Sequence, residues 1–168
     1  MQYILAFLLM SVPQGFLHLS VTSEGKYVDL YLPTSLIEYA DMFTDGGEGM
    51  GNVLKETELH MGDTLMDMDT GEEKALMVVV PKDGVLERGG KTPKWFRVEI
   101  GDKKEGKISI KMPFWAFKVL KNFGVDTMDE ADAGFFDALT QSIEEMGGGG
   151  FRFLEVRDRE SSIDIYVE

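Results

Sequence analysis

Apolar and polar residues alternate along two stretches of the chain, 17–32 and 96–112, and a short polar turn interrupts each stretch near its middle. Alternation places every second side chain on the same side of a strand, so each stretch predicts a β-hairpin with one buried face. Gly25 lies in the first turn, where glycine supplies the positive φ of a tight hairpin. The predicted buried faces are formed by Leu17, Leu19, Val21, Val28, Leu30, Leu32, Phe96, Val98, Ile100, Ile108, Ile110 and Met112.

A proline and an amphipathic segment follow each hairpin. Ser35 is a candidate helix cap two residues after Pro33, and a helix is predicted from Phe114 to Asn122 after Pro113. Apolar residues at helical spacing predict a further helix over 131–146. Two closing hairpins are predicted from the alternation at 65–81 and 151–167.

The second half of the chain repeats the pattern of the first. Pro33 and Pro113 lie 80 residues apart, as do Phe43 and Phe123, and the closing hairpins correspond at a spacing of 88. We therefore predict an α+β fold of two related ββα(α)ββ units, with antiparallel hairpins packed against short helices. The predicted boundaries are 1–16 for an apolar N-terminal segment, 17–81 for the first repeat unit, 82–94 for a linker and 95–168 for the second. Ile110 and Ile165 are expected in the core.

The N-terminal segment contains an apolar run from Tyr3 to Met10, shorter than the roughly 20 residues that cross a bilayer. Its length fits a secretory signal, although no lysine or arginine precedes it and Pro13-Gln14-Gly15 is a poor cleavage site. A buried element of the mature fold and a misassigned start are the alternatives. Localisation stays open, with an extracytoplasmic location slightly favoured over a cytoplasmic one.

The second unit resembles a bacterial module. The resemblance rests on FRVEIGDKKEGKISIKMPFWAFKVLKNF, on DALTQSIEE and on FRFLEVRDRESSIDIYVE, which together cover most of 96–168. This module is found C-terminal to SHOCT-like helical domains near DUF4097 adhesin-like proteins, and residues 17–81 read as a degenerate copy. The chain departs from the pattern by beginning with an apolar segment in place of a charged helical domain. The resemblance implies an uncharacterised module and brings no catalytic residues.

The formal net charge of −13 restricts the class of partner. Sequence-independent nucleic-acid binding depends on lysine and arginine displacing counterions, so no nucleic-acid partner is expected. Anionic membrane surfaces would repel the chain for the same reason. The remaining expectation is a protein partner or self-association, with the acidic residues acting mainly as a solvated surface.

Few residues of the chain are suited to catalysis or to metal binding. The chain has no cysteine, and its two histidines, His18 and His60, lack a partner at metal-ligand spacing, so no metal and no cofactor is expected. A strand with gap-filling methionines explains Met66 and Met68 better than a copper site does. The chain is therefore predicted not to be an enzyme. A histidine in a concave pocket within reach of a serine hydroxyl or a buried carboxylate would contradict that prediction.

Four aromatic residues cluster around the second hairpin and exceed what one small helix face can bury: Trp95, Phe114, Trp115 and Phe117. Either they pack in the core, or they form an exposed docking patch. The leading hypothesis is a noncatalytic protein-interaction or structural module with these residues as its interaction surface. The alternative is a carboxylate-based hydrolase or a small-ligand binder with its site between the two repeats.

Overall fold

The computed structural model describes residues 14–43, 58–116 and 130–168. These residues form one eight-stranded sheet, in which every pair of neighbouring strands is antiparallel, together with two longer helical segments. Residues 114–116 are also helical, and the rest of the helix predicted from Phe114 to Asn122 lies outside the described residues. The strands are β1 (Gly15–Ser23), β2 (Lys26–Pro33), β3 (Thr64–Asp69), β4 (Glu73–Pro81), β5 (Trp95–Asp102), β6 (Gly106–Pro113), β7 (Phe151–Arg157) and β8 (Ser161–Val167). A 3-10 helix spans Thr34–Phe43, and an α-helix, α1, spans Glu130–Glu145.

The hairpin turns have clear local causes. Glu24 and Gly25 both adopt positive φ, as a two-residue turn between β1 and β2 requires. In the turn between β7 and β8, the Asp158 carboxylate accepts hydrogen bonds from the backbone N–H groups of Glu160 and Ser161 at 2.8 and 2.7 Å. These bonds favour the charged carboxylate and lower the pKa of Asp158. Short-range signals in the sequence therefore suffice for these turns.

The helices cover one face of the sheet near one end of its strands. Leu139 and Ile143 of α1 are fully buried, and Leu36 of the 3-10 helix is almost so. The side chains of Ser35 and Ser142 join the two helical segments through a 2.6 Å hydrogen bond. The strand residues beneath them include Leu17, Leu30, Leu32, Met77, Val79, Phe96 and Val167. Burying this apolar face is the main stabilising contribution to the fold.

The strand order is β3-β4-β1-β2-β7-β8-β5-β6. Both halves have the same order: β3-β4 lie before β1-β2 in one half, and β7-β8 lie before β5-β6 in the other. The two halves meet where β2 pairs with β7. The linker, 82–94, joins β4 to β5, which lie second from opposite edges. β4 and β5 are separated by five strand spacings of about 4.8 Å, so the linker spans about 24 Å across the sheet. The two halves thus share one continuous sheet.

The structure corrects one expectation about the core. Ile110 is 48% exposed, although Leu30 and Met77 in the same cross-strand row are 6% and 5% exposed. The prediction of a buried Ile110 was wrong because β6 is at the edge of the sheet and the helices lie over its middle. Ile165 is partly buried against the core. β1 begins at Gly15, two residues before the alternating stretch that begins at Leu17, while residues 1–13 lie outside the described part.

Candidate functional site

A cleft of about 1290 Å³ lies between the linker, the start of β5, the residues after β6 and the outer side of α1. Its walls include Trp95, Phe114 and Trp115, which are three of the four aromatic residues predicted to form an interaction surface. The fourth, Phe117, lies outside the described residues. We call this feature the aromatic cleft; its charged lining residues are Glu87, Lys91, Lys94, Glu144 and Glu168.

The two tryptophans of the aromatic cleft are exposed. Trp95 is 40% exposed and Trp115 is 66% exposed. The backbone holds Trp95 in place, because its N–H donates to the Glu168 carbonyl and its carbonyl accepts from the Glu168 N–H, both at 2.8 Å. The Lys111 ammonium lies 5.5 Å from the centre of the Trp95 ring, at cation–π distance. Both of the chain's indoles are therefore partly exposed to solvent.

Phe114 has a different role from the tryptophans. It is partly buried, and its ring centre lies 4.8 Å from that of Phe96, a core residue. Its backbone N–H donates to the Lys94 carbonyl at 2.9 Å, which links the end of β6 to the linker. Phe114 thus connects the aromatic cleft to the core, while Trp95 and Trp115 present their surface outward.

One wall of the aromatic cleft is made by close backbone packing between the linker and the loop from α1 to β7. A Cβ atom on Gly90 would lie 2.5 Å from the Gly149 Cα, and one on Gly149 would lie 2.5 Å from the Glu87 carbonyl oxygen. The Glu87 N–H also donates to the Gly150 carbonyl at 3.0 Å. The glycine run at 147–150 thus permits this close packing, which a side chain on Gly149 would prevent.

The opposite face of the sheet carries a row of four carboxylates on successive strands. Cross-strand pairing aligns Asp29 on β2, Glu155 on β7, Asp164 on β8 and Glu99 on β5. We call these residues the acid row. Asp29 and Glu155 are each 4% exposed, although this face has no helix over it among the described residues. Asp29 lies between the predicted buried residues Val28 and Leu30, so alternation puts it on the opposite face, and its burial there depends on neighbouring strands distant in sequence.

Arginine and lysine compensate the acid row. Arg152 lies 2.5 Å from Glu155, 3.6 Å from Asp29 and 3.9 Å from Asp164, and thus faces three carboxylates. Arg157 forms a second ion pair with Glu155. Lys107 approaches Glu99 to 2.6 Å and is the main reason why the pKa of Glu99 lies below its ordinary value, with Arg97 contributing further. A general acid needs the opposite shift, so Glu99 is suited to ion pairing.

His18 is bound to the acid row. Its Nε2 lies 2.5 Å from Asp29 Oδ1, and its ring stacks on that of Tyr31 with 4.3 Å between centres. Asp29 is a buried carboxylate, so one part of the criterion for an enzyme is met. The other part, a concave pocket, is not met at the clefts around Trp95, Ser162 and Tyr31, because His18 lines none of them, and the Tyr31 ring covers one face of the imidazole.

His60 has no comparable setting. It is exposed, and its ring lies 3.6 Å from Glu58 and 3.4 Å from Asp63 at the turn that precedes β3. Within residues 14–43, 58–116 and 130–168, no group of three or more histidines and carboxylates is arranged to hold a metal ion.

Comparisons of the chain with protein-family models, with curated proteins and with solved structures return no match. The resemblance of residues 96–168 to the SHOCT-associated module therefore stays a prediction. In the described part of the chain, no helix has the length and apolar character needed to cross a membrane.

Proposed function

We propose that this protein is a noncatalytic interaction module that binds an extended segment of a partner protein in the aromatic cleft. The observation that carries the proposal is the exposure of Trp95 and Trp115 on the walls of one cleft. Tryptophan is enriched at the centres of protein interfaces, because it removes a large apolar area from water and also offers an N–H donor.

The chemistry of the cleft favours a particular kind of segment. Flat indole surfaces are suited to proline rings and to guanidinium groups, and a cleft of about 1290 Å³ has room for several residues of an extended segment. Three of the five charged lining residues are glutamates, and the whole chain carries a net charge of −13. We therefore propose a partner segment that combines proline or aromatic residues with at least one arginine or lysine.

The noncatalytic part of the proposal rests on how the carboxylates are used. The alternative places a hydrolase or ligand site between the two halves, which is where Asp29 and Glu155 face each other across β2 and β7. Both are engaged by Arg152, and Arg157 adds a second contact to Glu155. A carboxylate held in this way stabilises the sheet and is not free to act as a general acid or base.

We also propose that the fold consists of two related units. Three features support this: each half has the same strand order, β1 pairs with β4 as β5 pairs with β8, and both closing hairpins have a register shift at corresponding positions. The shifts lie between Thr64 and Met66 and between Arg152 and Leu154, which are 88 residues apart. Experimental coordinates with these irregularities at unlike positions would contradict a shared origin.

The aromatic cleft can be tested directly, because it contains both tryptophans of the chain. Peptides would be selected from a random dodecapeptide phage library, synthesised and titrated while tryptophan emission is followed. We expect proline-containing basic peptides that shift the emission and bind at least about tenfold more weakly to Trp115→Ala, the loss typical of an interface anchor. Met61→Ala, which truncates an exposed side chain outside the cleft, should bind like the unmodified protein.

Two results would contradict the proposal. Isothermal titration calorimetry measures binding to the Trp95→Ala/Trp115→Ala variant, which has no tryptophan, and peptides that bind it as well as they bind the unmodified protein would place the interaction elsewhere. Failure of the library to produce any peptide that changes tryptophan emission would argue against a peptide-binding cleft.

A further inference from the structure

The sheet has two open edges among the described residues, β3 and β6, each with one neighbouring strand. An open edge exposes unpaired backbone N–H and C=O groups and can accept a strand from another molecule. Three large apolar side chains on these strands are strongly exposed: Met68 on β3, and Ile108 and Ile110 on β6. All three lie on the sheet face that the helices cover elsewhere, so the edges are apolar as well as unpaired.

The two edges have opposite charge. β6 contains Lys107 and Lys111 and no acidic residue, whereas β3 contains Asp67 and Asp69 and no basic residue. In a chain with a net charge of −13, a strand that is only basic is unusual. A β6 strand is therefore complementary in charge to a β3 strand, whereas two β6 strands or two β3 strands would place like charges together.

The middle of the sheet already contains a pairing of the corresponding strands. Under the correspondence of the two halves, β6 is the counterpart of β2, and β3 is the counterpart of β7. β2 and β7 pair antiparallel, with Tyr27, Val28, Asp29 and Leu30 opposite Arg157, Val156, Glu155 and Leu154. β6 is open on the side that corresponds to the side of β2 that pairs with β7. In the same way, β3 is open on the side that corresponds to the side of β7 that pairs with β2.

We propose that β6 of one copy pairs antiparallel with β3 of a second copy and so repeats the β2–β7 junction between molecules. Transferring the register of that junction places Lys107 opposite Asp69, Ile108 opposite Met68, Ser109 opposite Asp67 and Ile110 opposite Met66. The inference rests on the correspondence of the two halves, and it involves strands that are separate from the aromatic cleft.

This register is physically favourable. Each apolar residue of β6 meets a methionine on the same face, and cross-strand pairs of this kind stabilise sheets. Lys107 of one copy meets the Asp69 carboxylate of the other. Within a single molecule Lys107 already pairs with Glu99 and Asp69 with Lys74, and both of these ion pairs can extend to include the new contact. Since the two surfaces differ, the association is heterologous and produces a ring or an open chain of copies.

Engineered cysteines give a direct test, because the chain has no cysteine of its own. Met68→Cys and Ile108→Cys would be prepared as separate full-length proteins and oxidised alone and as a mixture. We expect a disulfide-linked dimer only in the mixture, and a ladder of linked species from the protein that carries both substitutions. A mixture of Ile108→Cys with Leu76→Cys, which places the thiol on an exposed position of β4, should remain unlinked.

Sedimentation velocity over a range of protein concentrations provides a second measurement. The unmodified protein should show a weight-average sedimentation coefficient that rises with concentration, and Ile108→Asn or Met68→Asn should abolish most of that rise. Both side chains are exposed in the single molecule, so the melting temperature of each variant should stay close to that of the unmodified protein. Leu76→Asn is the matched control and should retain the rise.

Two outcomes would overturn the proposal. Efficient linkage of Ile108→Cys with itself would indicate a two-fold pairing of β6 with β6. A sedimentation coefficient that does not change up to the highest soluble concentration, together with no linkage in the mixture, would show that the edges do not associate. Neither result would affect peptide binding at the aromatic cleft, so the two proposals fail independently.

Discussion

Asp29 and Glu155 lie directly opposite each other on β2 and β7, the strands at which the two halves of the sheet meet. Like charges in this position normally destabilise a sheet, and both side chains are almost completely buried. The arrangement is stable because Arg152 reaches both carboxylates, and Asp164 also lies 3.9 Å from the same guanidinium. Arg152 is thus central to the junction.

Replacing Arg152 with methionine should therefore destabilise the fold. The variant leaves the buried Asp29 without its guanidinium and Glu155 with Arg157 alone, and we expect a loss of about 3 kcal/mol in the free energy of unfolding, measured by urea titration. Arg88→Met, at an exposed position of the linker, should change it by less than about 0.5 kcal/mol. An Arg152→Met variant as stable as the Arg88→Met control would show that Arg152 does not compensate the acid row.

Core truncations should differ according to the distance from the helices. Leu139 of α1 is fully buried, so Leu139→Ala should lower the free energy of unfolding by about 3–5 kcal/mol. Ile110→Ala should cost less than about 1 kcal/mol, because half of that side chain is already in water. Urea titrations at low protein concentration would measure both without a contribution from association. Equal losses would mean that residues on the β6 face are covered in solution.

Two glycines with positive φ should respond differently to alanine. At Gly149 the new Cβ would lie 2.5 Å from the Glu87 carbonyl oxygen, while at Gly71 no atom lies within 4 Å. Gly71→Ala should therefore lower the free energy of unfolding by about 1 kcal/mol, from backbone strain alone. Gly149→Ala adds a steric clash and should lower it by about 1–3 kcal/mol more. Thermal unfolding of the two variants would measure the difference. Similar losses would indicate that the linker does not pack closely on the loop after α1.

Ion pairs at the end of β8 should make stability depend on pH. The Lys111 ammonium, and then Arg97, hold the pKa of Glu168 below its ordinary value of 4.5. A depressed pKa in the folded state contributes stability above pH 4.5, and this contribution is lost as the pH falls below that value. Because Lys111 is about half exposed, the effect should be under about 1 kcal/mol.

The matching experiment compares Lys111→Met with Lys104→Met by thermal unfolding. Lys111→Met should melt below the unmodified protein near neutral pH, and the difference should shrink as Glu168 becomes protonated in acid. Lys104 lies on the exposed turn between β5 and β6, 4.0 Å from Glu160, and its replacement should have little effect at either pH. If the melting temperature of Lys111→Met is lower than that of the unmodified protein by the same amount at every pH, ion pairing with Glu168 is not the cause.

Alternation and turn chemistry were enough to predict the strands of this protein. Both signals are local: successive side chains of a strand point to opposite faces, and residues such as Gly25 and Asp158 fix a turn through their own backbone geometry. The strands of all four predicted hairpins and a helix close to the predicted 131–146 are present within the described residues. The mixed α/β character of the fold was therefore confirmed.

The order of the strands, and with it the candidate site, depended on the tertiary structure. Alternation indicates that Ile110 and Leu30 share a face of the sheet, but helix placement decides that one is exposed and the other buried. The burial of Asp29 likewise depends on β7, which lies more than a hundred residues further along the chain. The sequence indicated an aromatic cluster, while the packing of Gly149 against the linker shaped the cleft around Trp95 and Trp115. Pairing between distant strands is a property of the whole chain, so no local pattern could determine it.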